Sequence, residues 1–162
     1  MKFQSSPNEL ESIANQINTE FNAVLGWGFF KNYFLEMNYS ENTITLRSDV
    51  KPKRDVFLSV DFNKNSSYLS VPVTIKNNTV NLIVDTGSSS TVIDSSFMKD
   101  NQMTDLTFKL GGQQFQPNAA IQDLSILKQL DAVGIIGGDI IGSYILHIDP
   151  FQKTLSFENK KT

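Results

Sequence analysis

One carboxylate stands where this sequence could do chemistry. The apolar run Leu82-Ile83-Val84 delivers Asp85 into Thr86-Gly87-Ser88-Ser89-Ser90. Such a run fits a buried strand, and the small residues after it let the backbone fold back toward the carboxylate. A carboxylate held at a strand end can take or give a proton, so general acid–base catalysis is open to it. Asp, Thr and Gly are also ordinary turn residues, and the tripeptide alone is compatible with a turn that only closes a strand. Ser88 to Ser90 lack a base to activate them. The chain has no cysteine and a single histidine, His147, which argues against thiolate chemistry, a His-based zinc site and a serine triad. His147 lies in an alternating stretch and is expected at the surface. Asp139, ahead of Ile140-Ile141, is expected to cap a helical turn, and Asp149, ahead of Pro150, to shape a hairpin turn.

The elements around Asp85 can be read from periodicity. Leu69, Val71, Val73 and Ile75 fall on one face of a strand, Asn77-Asn78 predicts a turn, and Val80 to Val84 returns into Asp85. Leu106, Phe108 and Leu110 alternate before Gly111-Gly112, with Phe115 on the returning arm, which predicts a second hairpin with a mobile tip. Gly134-Ile135-Ile136-Gly137-Gly138 predicts a short buried strand, and a closing hairpin is expected from Ile145 to Phe157. Near the start, Ser6-Pro7-Asn8-Glu9 has a capping-box form, and Leu10, Ile13, Ile17 and Phe21 follow at helical spacing. Residues 47–55 are charged, contain Pro52 and read as a linker.

Composition narrows the classes further. At 162 residues with 40% hydrophobic content and twelve Phe, the chain can hold one substantial domain with an appendage. A net charge of -3 supplies no basic stripe for nucleic acid and no polybasic membrane patch. No stretch reaches the roughly 18 apolar residues that span a bilayer, and residues 1–20 lack the apolar centre of a signal peptide. The chain as it stands reads as soluble, its compartment unassigned; an export signal lying upstream is compatible with this reading.

A repeat crosses the chain. Val24 to Leu46 aligns without a gap onto Ile135 to Phe157 at an offset of 111, matching Gly26 with Gly137, Tyr33 with Tyr144, Leu35 with Leu146 and Thr43 with Thr154. The apolar pairs agree too: Val24-Leu25 with Ile135-Ile136, Phe29-Phe30 with Ile140-Ile141, Met37 with Ile148 and Ile44 with Leu155. Apolar strand, glycine, short helix and hairpin in one register point to an internal duplication.

Together, the apolar run into Asp85-Thr86-Gly87-Ser88, the double-glycine hairpin and the later Ile135-Ile136-Gly137 resemble the retropepsin-like aspartic peptidases over about Tyr68 to Glu158. The resemblance implies an all-β lobe with a few short helices, a closed or partly open β-barrel, over residues 56–162, with 47–55 as linker. Residues 1–46 would be the C-terminal half of a preceding repeat lobe. It also implies that Asp85 is one of two facing aspartates that activate a water against a peptide bond, with no metal and no cofactor. Thr86 would lock the two catalytic loops, Gly87 would permit close backbone approach, and Ser88 would bond an outer carboxylate oxygen. Gly111 and Gly112 fall at the family's flap, although no aromatic residue sits at that tip, and Ile136 and Gly137 would support the loop. The partners implied are a peptide or protein substrate and a second aspartate.

That second aspartate is absent from the 162 residues. Applying the offset, 85 - 111 = -26, sets its counterpart about 26 residues before Met1. It would come from an upstream lobe of a longer protein or from a homodimer partner. The alternative is a non-catalytic peptide-binding or assembly module derived from a peptidase. An isolated single-motif monomer is expected to be inactive.

Overall fold

The computed structural model describes residues 23–48, 56–63, 68–98 and 106–160, together with Glu11 and Asn15. Apart from Glu11 and Asn15, the amphipathic helix expected over Leu10 to Phe21 lies outside these residues, as does most of the 47–55 linker. Arg47 itself ends a strand, so pairing runs one residue into the segment read as linker.

Among the described residues, twelve strands form two sheets. The first is built from β1 (Phe34–Asn38), β2 (Thr43–Arg47), β3 (Val56–Asp61), β11 (Tyr144–Asp149) and β12 (Thr154–Asn159), in the order β2-β1-β11-β12-β3. The second contains β4 (Ser70–Ile75), β5 (Asn78–Val84), β6 (Val92–Asp94), β7 (Phe108–Leu110), β8 (Gln113–Phe115), β9 (Ala120–Gln122) and β10 (Gly134–Ile136), in the order β8-β7-β4-β5-β10-β6-β9. Among the described residues the helices are short: α1 (Trp27–Phe30), α2 (Gly138–Ile141) and a 3-10 helix at Ser125–Leu130. None is long and apolar enough to cross a membrane. The expected all-β lobe with a few short helices is the observed architecture.

Alternation sets the core. Leu69, Val71, Val73 and Ile75 are all buried and meet Leu82 and Val84 of β5, together with Phe108 and Leu110. The first hairpin turns at Lys76-Asn77, one residue earlier than expected, and Asn78 opens β5 opposite Ile75. A two-residue turn that follows the strand twist needs positive φ at both positions, and Lys76 and Asn77 supply 47° and 68°.

The second hairpin has the same turn chemistry, with Gly111 at φ 56° and Gly112 at φ 85°. Its tip, expected from sequence to be mobile, lies against the first sheet. A Cβ on Gly111 would lie 2.4 Å from Leu58 Cδ1 and 2.5 Å from Val60 Cγ1, so the tip packs against β3. Leu110 is buried completely, and that apolar neighbour pulls the turn down onto the first sheet.

β1 lies along β11 antiparallel, with Leu35 opposite Ile148, Glu36 opposite His147 and Met37 opposite Leu146. Leu35 enters the main core, and the Trp27 ring packs edge-on against Phe62 at 5.5 Å. Residues 23–48 therefore share one core with the rest. The two stretches related by 111 residues also adopt matching local shapes. Gly26 and Gly137 each precede a four-residue helix in extended backbone. The Asn38 side chain accepts N–H bonds from Ser40 and Glu41, and Asp149 accepts them from Phe151 and Gln152. Asn42 and Lys153 both take positive φ. Asp149 thus shapes its hairpin turn as expected.

His147 departs from expectation. It is 4% exposed, with Nε2 2.8 Å from Glu158 Oε2 and Nδ1 3.7 Å from Glu36 Oε2. Period-two alternation assigns a side chain to one face but says nothing about what covers that face. β11 is the middle strand of its sheet, and its neighbours on either side carry the two glutamates and the Phe34 ring.

Candidate active site

Asp85 follows the last residue of β5, a strand held between β4 and β10. β10 pairs with it in parallel, Ile135 opposite Ile83 and Ile136 opposite Val84. This pairing carries straight into the turn, where the Asp85 N–H donates to the Ile136 carbonyl at 3.1 Å. The Gly87 N–H donates to Asp85 Oδ1 at 2.8 Å, and a Cβ on Gly87 would stand 3.2 Å from that same oxygen. The carboxylate is thus fixed at a strand end by a local donor, as its spacing predicts.

The rest of the loop is stitched to the β10–α2 junction. Gly138 and Asp139 N–H groups donate to the Ser88 and Ser89 carbonyls at 2.8 and 3.1 Å. Asp139 Oδ1 accepts both the N–H and the hydroxyl of Thr91 at 2.8 Å, and the Gly137 N–H reaches the Thr91 hydroxyl at 3.3 Å. Asp139 is therefore a loop clamp more than a cap. Gly137 takes the N-cap position, and Asp139 sits inside the first turn, where its carboxylate also accepts the Ile140 N–H. Ile136 is wholly buried beneath the turn, and Gly137 lies against the Ser90 backbone.

Two sequence-level roles find other geometry. The Ser88 hydroxyl donates to the Ser90 carbonyl at 2.7 Å and leaves the Asp85 carboxylate to Gly87, because the turn directs it forward along the loop. Thr86 is exposed, and its hydroxyl has no hydrogen bond among the described residues. Asp85, Thr86 and Gly87 open onto a cavity of about 830 Å³ that Val24, Leu25, Trp27, Phe30, Met37, Tyr68, Ile126 and Leu130 also line. Its walls are mainly apolar, and its size is that of a site for a small molecule or short peptide segment. Gly111 and Gly112 line none of it.

Residues that periodicity did not flag also shape the site. The Tyr39 hydroxyl is buried with no hydrogen-bond partner among the described residues. Burial pushes its phenol above the ordinary range, and the Asp85 carboxylate adds to the shift. Asp85→Asn removes the second cause only, so the Tyr39 titration is expected to move part of the way down. Ultraviolet titration of the parent and Asp85→Asn, with Tyr39→Phe to identify the transition, checks this.

Asp94 is buried at the end of β6, where it accepts the Ser96 N–H and hydroxyl, and its second oxygen takes the Leu124 N–H at 2.7 Å. The Asp-x-Ser spacing is the one sequence signal that marks it. The Ser96 hydroxyl bond holds its carboxyl below the usual carboxylate range, against the opposing effect of burial, with help from the Leu124 and Ser96 N–H groups and Lys128. A lowered folded pKa means stability that is present above the unfolded value and lost as pH falls through the folded one. The loop it anchors leads to Leu127 and Leu130 of the cavity wall and stays tied in mild acid. Thermal melts of the parent and Asp94→Asn should differ at neutral pH and converge as pH falls below the ordinary carboxylate range.

Comparison with known proteins follows the same lines. A family model described as aspartyl protease matches residues 71–107, from β4 through the Asp85 turn and β6. No curated protein matches the chain in sequence. The aspartic proteinase of Irpex lacteus superposes with a TM-score of 0.52 at 16% identity, covering 80% of this chain and 56% of that one. A retropepsin-like aspartic protease from Rickettsia conorii gives a TM-score of 0.44 at 12% identity, covering 70% of this chain and 100% of that one. The retroviral protease-like domain of Ddi1 from Leishmania major gives 0.42 at 16% identity, covering 60% and 97%. This chain thus spans little more than half the length of the Irpex enzyme. Its described residues share the fold of an aspartic proteinase over 80% of this chain.

Proposed function

We propose that this chain supplies one half of an aspartic peptidase site, with Asp85 as one of two carboxylates and the other carried by a second lobe or subunit. The observation that carries the reading is the Asp85 turn itself. A carboxylate at the exit of a buried strand, fixed by the Gly87 N–H, faces an apolar cavity over the Ile136-Gly137 support. Two carboxylates a few ångströms apart cannot both ionise, so such a pair shares a proton. The ionised member takes a proton from a water whose oxygen adds to the peptide carbonyl. The protonated member donates to the carbonyl oxygen, and collapse breaks the C–N bond as the amine leaves with a proton. Thr86 would meet the second loop, which fits its exposed and unpartnered hydroxyl.

The repeat supports the same reading. Segments related by 111 residues share helix starts, hairpin turns and positive-φ positions. We read residues 1–46 as the C-terminal half of a preceding lobe-like unit, whose own aspartate would stand at the same offset.

The test is a fusion in which a second copy of residues 56–111 is joined in front of Met1, restoring the 111-residue spacing. Unstructured peptides incubated with it between about pH 3 and pH 7 are expected to be cleaved, and the 162-residue chain alone is expected to be inactive. Turnover that survives Asp85→Asn, or a folded fusion that binds peptide without cleaving it, would leave the non-catalytic binding module as the better account.

A further inference from the structure

We infer that residues 123–132 form a strap latched at its two ends by the side chains of Asp94 and Asn81, and that release of the Asp94 latch in acid opens the cavity wall beside Asp85. The inference rests on the cavity and not on the peptidase reading, so turnover does not decide it. The strap holds the 3-10 helix Ser125–Leu130, and its Ile126, Leu127, Gln129 and Leu130 line the same cavity as Asp85, Thr86 and Gly87. Ile126 is 69% exposed and belongs to the wall, not the core.

The strap's apolar contacts form a small cluster of their own. Period-two alternation in β5 and β10 sends Leu82, Val84 and Ile136 into the main core and leaves Ile83 and Ile135 on the other face, where they pack with Leu124, Leu127, Leu130 and Ala132. So small a cluster holds a segment weakly, because apolar stabilisation scales with the area buried. The strap's backbone bonds are also internal: the Leu127 N–H donates to the Leu124 carbonyl at 2.8 Å, Asp131 to Lys128 at 3.2 Å and Ala132 to Leu127 at 3.1 Å. None of these ties it to a strand.

Among the described residues, two side chains make those ties. Buried Asp94, at the end of β6, accepts the Leu124 N–H at 2.7 Å on one carboxylate oxygen and the Ser96 N–H and hydroxyl on the other. At the far end the Asn81 amide of β5 donates to the Asp131 carbonyl at 3.0 Å and to its carboxylate at 3.1 Å. The two latches differ in kind. An ionised carboxylate only accepts, so the three donors around Asp94 suit its charged form, and a proton on either oxygen sets a donor against a donor. The charged groups facing Asp94 are Asp123 and Lys128 of the strap, opposite in sign. The Ser96 hydroxyl bond above all holds the Asp94 carboxyl below the usual carboxylate range, so the latch is closed at neutral pH and lost as pH falls through the folded value. The Asn81 bond to the Asp131 carbonyl is indifferent to pH.

Trp27, the single tryptophan of the 162 residues, lines the same cavity and reports on its wall. At neutral pH, Asp94→Asn is expected to speed hydrogen exchange at Leu127, Asp131 and Ala132 by about tenfold or more over the parent, with β5 and β10 amides changed by less than about threefold. Acrylamide quenching of Trp27 should rise with it. In the parent the same rise is expected only below the ordinary carboxylate range, while the circular dichroism of the sheets persists. Ser96→Ala keeps the carboxylate but loses the hydroxyl bond, and should move that transition upward by about one pH unit. Strap exchange that stays at the parent's rate in Asp94→Asn, or rises only together with that of β5 and β10, overturns the inference. So does a Trp27 transition in the parent that coincides with loss of the sheets, or one that Ser96→Ala leaves in place. If Asp94→Asn does not fold, the Ser96→Ala shift decides alone.

Discussion

Asp85→Asn is expected to lower kcat/KM of the two-carboxylate fusion by about 10⁴-fold, the upper part of the range for loss of a positioned acid–base group. The substitution keeps size and shape, and the amide oxygen can still accept the Gly87 N–H that now reaches Asp85 Oδ1 at 2.8 Å. What it removes is the charge that takes a proton from water and the proton that two carboxylates would share. Because the turn's own bonds survive, stability should change by less than about 1 kcal/mol. Parallel measurement of peptide turnover and chemical denaturation separates the two effects. Ser88→Ala is the control, since its hydroxyl is spent on the Ser90 carbonyl and not on the carboxylate. It should cost far less turnover than Asp85→Asn.

Gly137→Ala is expected to be the most destabilising small substitution in the site, at about 3 kcal/mol. The new Cβ would stand 2.2 Å from Ser90 O, 2.4 Å from Ser90 C and 2.9 Å from Ser90 N. All three are backbone atoms, and no rotamer change relieves such a contact. Relief requires lifting the loop, which strains the bonds from Gly138 to Ser88 and from Asp139 to Ser89, along with the Thr91–Asp139 clamp. Denaturant unfolding should show a lower midpoint with an unchanged slope, the mark of lost stability without a changed unfolded state. Gly28 offers the contrast, because a Cβ there meets nothing within 4 Å and the residue lies within α1. Gly28→Ala should be neutral or stabilising by up to about 1 kcal/mol.

Both outcomes depend on how the loop is held, and that support was only partly legible in the chain. Ile136 and Gly137 could be assigned beneath Asp85 because their pattern resembles a family element. The Thr91–Asp139 clamp could not, because its partners are 48 residues apart and each residue alone has an adequate local explanation. Asp139 looks like a cap from its neighbours, and only the approach of Thr91 redirects its carboxylate. Gly111-Gly112 was legible as a turn through its positive φ, but its position was not. The packing of Gly111 on Leu58 and Val60 depends on β3, which is joined to the first sheet through β12.

Sequence alone determined what is local in this protein: the alternating strand of Leu69 to Ile75, the apolar run that ends at Asp85, and the turn glycines. These follow from backbone sterics and side-chain periodicity, which act over a few residues and leave their mark in composition. The tertiary structure decided what depends on distant neighbours. It buried His147 between Glu36 and Glu158, packed the glycine hairpin against Leu58 and Val60, and seated β1 beside β11. It also laid the loop after Asp85 across Gly137, where a Cβ would meet the Ser90 backbone at 2.2 Å, while among the described residues a Cβ on Gly26 meets nothing within 4 Å: two similar segments differ through what packs over them.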